Sequence, residues 1–235
     1  MAVFPLFIDL KARKCVVAGG GKVASRKIQA LVEFNAEIIV VSPSVTAYIS
    51  ELGRAGKLLH IQREYFEDDI EGAFLVIAAT SDKQVNEKVY QDAVKKGIFV
   101  NIADNPEKCT FIFPSIVKRD ELVIGISTSG SYPALSKSLR KKIEGLIEGK
   151  MNKNITGLLS ECRKRAASQI SSSDKRKEII NRILDEAVFC DDITDEKQMT
   201  EKIEGIFGEY GDEKGNQGWN PGKQTGCCAE QMGNK

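Results

Sequence analysis

The sequence predicts an α/β fold, a doubly wound parallel sheet followed by a small helical domain. Three observations predict it. Short, wholly apolar runs alternate with segments of helical periodicity over roughly the first 104 residues. A glycine-rich turn joins the first apolar run to the first helix. From Met151 to about Phe207 the pattern is helical and charged, with no further strand signal. Strands buried on both faces of a parallel sheet read as continuous apolar runs.

Taken in order, Phe4-Pro5-Leu6-Phe7-Ile8-Asp9-Leu10 is an apolar lead-in, and Lys11-Ala12-Arg13-Lys14 is a polar turn. Cys15 to Ala18 is the first strand. Gly19, Gly21 and Ala24 then fit G-x-G-x-x-A, the pattern of a dinucleotide-binding turn when it links a strand to a helix. Gly19 lets the backbone turn sharply out of the strand. Gly21 lacks a Cβ, so a pyrophosphate can approach the main chain. Ala24 allows close packing of helix on strand. The helix from Lys22 to Phe34 offers its unpaired N–H groups and positive dipole end to phosphates. The fold class is therefore Rossmann-like.

Glu37 to Val41 is the second strand. An acidic residue at its end commonly binds the ribose hydroxyls of NAD; this chain has Ser42-Pro43 instead. Ser42 can hydrogen-bond a ribose, and no arginine follows at once to hold a 2′-phosphate, so NAD is expected over NADP. Ser44 to Gly56 reads as a helix, and Leu58 to Arg63 as a short strand. His60 is the single histidine. It reads either as an acid–base group or as a polar residue on an edge strand, and the second is favoured because no carboxylate or second histidine lies near it in sequence. Phe74 to Thr80 is a strand ending in small residues. Asp82 caps the next helix, whose apolar face is marked by Val85, Val89 and Val94, and Gly97 ends it. Ile98 to Ala103 is the last strand of the set. Gly19–Gly21, Ser42, Thr80 and Asp104 all fall at carboxyl ends of strands, where ligands bind in such sheets.

From Cys109 the pattern changes. Thr110 to Val117 and Leu122 to Thr128 read as a hairpin turning at Arg119-Asp120-Glu121, an open edge that a second subunit would cover. Pro133 suits a helix first turn. The following helix, to Ile147, carries Lys137, Arg140, Lys141 and Lys142. Apolar stripes at Leu158-Leu159, Ile179, Ile180, Ile183, Leu184, Ile203 and Phe207 read as core. After Gly208 the composition is polar and glycine-rich, as in a disordered tail. Cys227-Cys228 lies there, and two adjacent cysteines are too few for a metal site.

Composition narrows the function. The chain has 235 residues, 42% hydrophobic, with a net charge of +1. That near-neutrality argues against general nucleic-acid binding, and no apolar run is long enough to span a membrane. The six cysteines form no C-x-x-C, and the first residues lack a basic signal-peptide region. A reducing cytoplasm, with no disulfide framework and no metal site, is expected.

The assembled pieces resemble a known family. Phe4-Pro5-Leu6-Phe7, Gly19 through Lys27, Ile77-Ala78-Ala79-Thr80, Val100-Asn101-Ile102-Ala103-Asp104, Phe113-Pro114-Ser115, Ser127-Thr128-Ser129-Gly130 and Tyr132-Pro133-Ala134 match it in order and spacing. The chain looks like a precorrin-2 dehydrogenase, the module also found at the N-terminus of siroheme synthases. The resemblance covers roughly residues 2 to 150. It implies NAD-dependent oxidation of precorrin-2 to sirohydrochlorin, with some members also inserting Fe2+ as a sirohydrochlorin ferrochelatase. It implies a homodimer built around the segment after the nucleotide domain. It places Asp104 on the family's catalytic aspartate. From position alone, a base and a turn former before Asn105-Pro106 are equally good readings of that residue. Where some members carry a phosphorylatable serine, this chain has Thr128 between Ser127 and Ser129.

The expected organisation is a nucleotide-binding domain over 1–113, a dimerisation segment over 114–150, a helical domain over 151–208 and a tail over 209–235. The expected cofactor set is Gly19, Gly21, Lys22, Val23, Ser42, Pro43, Thr80 and Asn101. Precorrin-2 is a polycarboxylate, and Arg119, Lys137, Arg140 and Lys141 could receive it, although charge on such a helix is usually a solvated face. Two other functions fit the fold: an NAD-dependent oxidoreductase of another substrate, and a non-enzymatic NAD-sensing module.

Overall fold

Five apolar runs become five parallel strands: β1 (Lys14–Ala18), β2 (Glu37–Val41), β3 (Leu59–Ile61), β4 (Leu75–Ala78) and β5 (Phe99–Ile102), in the order β3-β2-β1-β4-β5. The computed structural model describes residues 3–103, 105–119, 121–148, 153–190 and 195–211. It divides into two compact units, residues 1–117 with 124–142, and residues 118–123 with 143 onward. Residues 212–235 of the expected tail, Cys227-Cys228 among them, lie outside the described residues.

β1 is the centre of the first unit. Val16 aligns with Ile39 of β2 on one side and Val76 of β4 on the other. Its side chains alternate between two cores. Cys15 and Val17 pack with Ala24, Ile28 and Leu31 of α1 (Lys22–Glu33) and Ile49 of α2 (Ala47–Arg54). Val16 and Ala18 pack with Tyr65 and with Val89 and Ala93 of α3 (Lys83–Lys95). A period-two split of one apolar run onto two helical layers is what double winding requires. Because β1 lies between β2 and β4, the strand order reverses there, and a crevice opens beyond the carboxyl ends.

The helix ends follow the local chemistry. Asn35 takes a left-handed conformation, φ 54°, just past α1. The Thr46 hydroxyl accepts the Ile49 N–H at the start of α2, and Asp82 accepts the Gln84 and Val85 N–H groups at the start of α3.

Several boundaries differ from the sequence reading. α2 begins at Ala47 rather than Ser44, because Ser42 to Val45 folds back against the glycine turn. Val94 is exposed, whereas Asn86 and Asp92 face inward on α3. Asp92 accepts a hydrogen bond from the buried Tyr65 hydroxyl at 3.1 Å, which keeps that carboxylate partnered. Residues 110–114 are not strand. Thr110 instead runs beside β5, its N–H donating to Val100 O at 2.9 Å and its hydroxyl accepting the Val100 N–H at 2.8 Å. The hairpin is correspondingly short, β6 (Ser115–Arg119) with β7 (Leu122–Ile126), and forms a separate two-stranded sheet.

α4 (Pro133–Ile147) follows the hairpin, with Tyr132, Leu135 and Leu139 exposed and Ser136 buried. The Thr128 hydroxyl accepts the Tyr132 N–H at 3.1 Å and pairs with the Ser136 hydroxyl at 3.2 Å. In the second unit α5 (Lys153–Gln169), α6 (Ser173–Ile183) and α7 (Glu196–Tyr210) enclose Cys162, Ala166, Ile170, Ile179, Ile183, Ile203, Ile206 and Phe207. α7 continues two residues past the expected boundary at 208. A π-helical turn at Leu184–Val188 brings Ala187 and Val188 into the same core. No helix among the described residues is long and apolar enough to cross a membrane.

Candidate dinucleotide site

The three glycines after β1 each answer a different demand. Gly19 has φ +114°, and its N–H donates to Val41 O at 2.9 Å. A Cβ built there would lie 2.5 Å from Ala79 O, so both the turn and the approach of the loop after β4 require glycine. A Cβ on Gly20 would lie 2.2 Å from Ser44 O, and Gly20 O accepts the Thr46 N–H at 3.0 Å. Gly20 is thus fixed by the loop after β2, a role the G-x-G-x-x-A pattern does not assign. Gly21 differs: a Cβ there meets nothing within 4 Å. Its glycine is unexplained by the protein's own packing and fits the approach of a ligand.

Gly21 is the N-cap of α1, with no side-chain cap and no acidic residue in the first turn. The N–H groups of that turn and the positive dipole end are therefore left for an anion. Lys22 is exposed at the mouth of the turn, and Val23 is half-buried against the first core. The Ser25 hydroxyl lies 2.8 Å from the Thr46 hydroxyl, tying α1 to the loop after β2.

That loop is tightly organised. Ser42 is buried, and its hydroxyl donates to Ser44 O at 2.7 Å. Its N–H donates to Ile61 O at 3.2 Å, and its carbonyl lies 2.9 Å from His60 Nε2. His60 therefore holds the β2 end in place, in keeping with its reading as a structural residue. Pro43 is exposed at the tip.

The loop after β4 is held by a residue that the sequence reading missed. Asn86 is 8% exposed. Its Oδ1 accepts the Thr80 N–H at 3.1 Å and lies 2.8 Å from Thr80 Oγ1, while its Nδ2 donates to Thr80 O at 3.1 Å. The available signal was an asparagine between Val85 and Val89, four residues after the Asp82 cap.

Beyond β5, Asn101 is buried and its amide is committed to the protein. Oδ1 accepts from Lys27 Nζ at 2.7 Å, and Nδ2 donates to Phe111 O at 3.0 Å. Lys27 also stands over the Phe113 ring, 4.7 Å from its centroid. Burial pushes the Cys109 thiol above its usual pKa, despite opposing effects of a hydrogen bond with Ile102 and the Lys27 charge, so it stays protonated at neutral pH. Asn101, Lys27 and Cys109 thus brace the segment that leaves β5. Asp104 lies outside the described residues.

The turn, Ser42, Pro43, Thr80 and Asn101 are all at the carboxyl end of the sheet in one unit. Residues 6–115 match the family model described as "Putative NAD(P)-binding". The siroheme synthase of Photobacterium profundum is 33% identical over 202 residues, 84% of this chain. That of Nitrosomonas eutropha is 41% identical over 148 residues, 63% of this chain. A solved structure titled "SirC, precorrin-2 dehydrogenase" matches 87% of this chain and 98% of its own, with TM-score 0.70 and 27% identity. Over these spans the chain is similar to precorrin-2 dehydrogenase and to the siroheme synthases. It spans less than half of the siroheme synthases, 43% of the Photobacterium protein and 31% of the Nitrosomonas one. The fold of that solved structure accounts for both the parallel sheet and the helical region. Among the described residues no group of three His, Cys, Asp or Glu side chains could hold a metal ion.

Proposed function

We propose that this protein is an NAD-dependent precorrin-2 dehydrogenase, which oxidises precorrin-2 to sirohydrochlorin. The observation that carries the reading is Gly21: an uncapped helix start whose missing Cβ serves no internal contact, at the switch point of a parallel sheet. The likeness to a precorrin-2 dehydrogenase along nearly all of that protein supports the substrate.

Bound there, NAD+ supplies the hydride acceptor. The protein's part is to bind, orient and take up a proton. The first-turn N–H groups of α1 hold the pyrophosphate, aided by the Lys22 charge. The Ser42-Pro43 end of β2 would receive the ribose; with its hydroxyl engaged by Ser44 O, Ser42 would contribute a shaped backbone rather than a carboxylate. The Thr80 loop forms the wall facing Gly19. Asp104, two residues after β5 in sequence, is assigned as the base that takes the proton lost alongside the hydride. If Fe2+ is inserted as well, it enters as a substrate, and the same carboxylate helps remove the pyrrole protons. The Pro114 to Lys150 segment joins two copies into a homodimer, and the enzyme works in the cytoplasm.

The test is to supply precorrin-2 and NAD+ and follow the absorption spectrum. One NADH should form for each sirohydrochlorin. A protein that binds NAD+ without oxidising precorrin-2 acts on another substrate or senses NAD. Adding Fe2+ afterwards reads the chelatase step. Asp104→Asn should keep NAD+ binding and lower turnover by roughly 100-fold or more. Near-normal turnover would make Asp104 a turn former. Light scattering at micromolar concentration should report a dimer, and a monomer would overturn that part of the reading.

A further inference from the structure

The loop between β4 and α3 is governed by one buried side chain. A residue at a strand end normally offers its N–H and C=O to water or to a ligand. At Thr80 both are taken by Asn86, as donor and acceptor of a single amide, at 3.1 Å each. The Thr80 hydroxyl is drawn in as well: it lies 2.8 Å from Asn86 Oδ1 and 2.8 Å from Asp82 O, and it accepts the Asp82 N–H at 3.1 Å. Asp82 in turn caps α3. The loop therefore has no free backbone group at Thr80 with which to rearrange. Its position matters because Ala79 O lies only 2.5 Å from where a Cβ on Gly19 would be, against the dinucleotide turn.

We propose that Asn86 is a positioning residue for the cofactor. It acts through Thr80, fixing the loop that forms one wall of the cleft opposite the glycine turn; this rests on the NAD reading above. Only an amide does both jobs. A carboxylate at 86 keeps the acceptor but loses the donation to Thr80 O and repels that carbonyl. An apolar side chain leaves the Thr80 N–H and C=O without partners in a half-buried place. A loop held in place only part of the time weakens apparent binding by that fraction.

The experiment uses the full chain with Asn86→Ala, Asn86→Asp and a control, Val89→Ala, which removes a buried contact three residues along the same helix. NAD+ binding is measured by calorimetry, and exchange of the Thr80 amide hydrogen by NMR. If the loop is in place about one tenth of the time, the dissociation constant rises about 10-fold in the Asn86 variants. Their KM for NAD+ should rise by the same factor, while kcat at saturating NAD+ stays near the parent value. Exchange at Thr80 should be faster. Val89→Ala should keep NAD+ affinity within about 2-fold, since its side chain packs in the core and makes no hydrogen bond to Thr80. Where Asn86→Ala fails to fold, the near-isosteric Asn86→Asp carries the test. A folded Asn86 variant that binds NAD+ as the parent does overturns the proposal and leaves the NAD reading intact. A parent that binds no NAD+ overturns both.

Discussion

The two units of this chain differ in what their polar groups hold in place: loops around a candidate site in the first, helices around a core in the second. In the nucleotide unit the candidate site is built mainly from main chain and amide side chains, with Lys22 at its mouth and Lys27 bonded to Asn101. Gly19, Gly20 and Gly21 shape the turn, His60 and Asn86 hold neighbouring loops, and Asn101 anchors the exit from β5. In the helical unit the polar groups are charged and sit at the rim of the core. Arg182 bonds Glu186 at 2.7 Å and Glu209 at 2.6 Å, Lys202 adds a second contact to Glu186 at 3.0 Å, and Arg165 pairs with Glu204 at 2.7 Å. Shape therefore controls the first unit's function, while charge influences the second unit's stability. A ligand site benefits from groups that are fixed and neutral, because they need no reorganisation when an anion arrives.

The largest expected effects test the shape half of this contrast. Gly19→Ala and Gly20→Ala should each destabilise the nucleotide unit by about 2 kcal/mol or more. Overpacking alone costs about 1–3 kcal/mol, and Gly19 adds a strained φ. Gly21→Ala should stay within about 0.5 kcal/mol of the parent, since its Cβ enters open space. Urea unfolding of the three variants checks the order. Equal losses at all three would dissolve the distinction between packing glycines and a ligand-facing one.

A smaller effect tests the charge half. Hydrogen bonds from Arg182 and Lys202 pull the Glu186 pKa down from 4.5 to about 2, outweighing the upward push of desolvation. A carboxylate with a depressed folded-state pKa adds stability above its ordinary pKa and loses that contribution as pH falls through the folded value. Helical stability should thus fall between pH 4.5 and about 2, and Glu186→Gln should flatten that fall when helicity is followed by circular dichroism. The group is about one-third exposed, so solvent screening keeps the effect modest.

The smallest effect is chemical. Burial, helped by the Glu37 charge, pushes the Cys15 thiol up to about 12, and burial also takes Cys162 to about 11. Both remain protonated at neutral pH. Native alkylation followed by peptide mass analysis should mark the half-exposed Cys190 well before Cys15, Cys109 or Cys162.

The contrast also explains how much could be read from sequence. The sheet was legible because each strand is largely apolar and punctuated by Gly19, Asn35, Asp82 or Gly97. The helical core was legible from the stripes at Ile179, Ile183, Ile203 and Phe207. Less legible was anything set by contact between distant segments. Gly20 serves Ser44, Asn86 serves Thr80, and Thr110 runs beside Val100 instead of extending the hairpin. Local periodicity carries no record of such pairings. Ser42 is expected as a cofactor residue from its place at a strand end and Asn101 from the segment that carries the family resemblance, and the side chains of both bond within the protein. A strand end gives the location of a residue but not the direction of its side chain.

The most direct test of the central claim is a calorimetric titration of NAD+ into the parent and into Gly21→Leu. A Cβ at Gly21 meets no protein atom within 4 Å, so the side chain starts into open space, and circular dichroism first establishes that the variant folds. Its side chain would occupy the approach to the first turn of α1. The account predicts saturable NAD+ binding by the parent and none by the folded variant. Equal binding by both, or no binding by the parent, would contradict it.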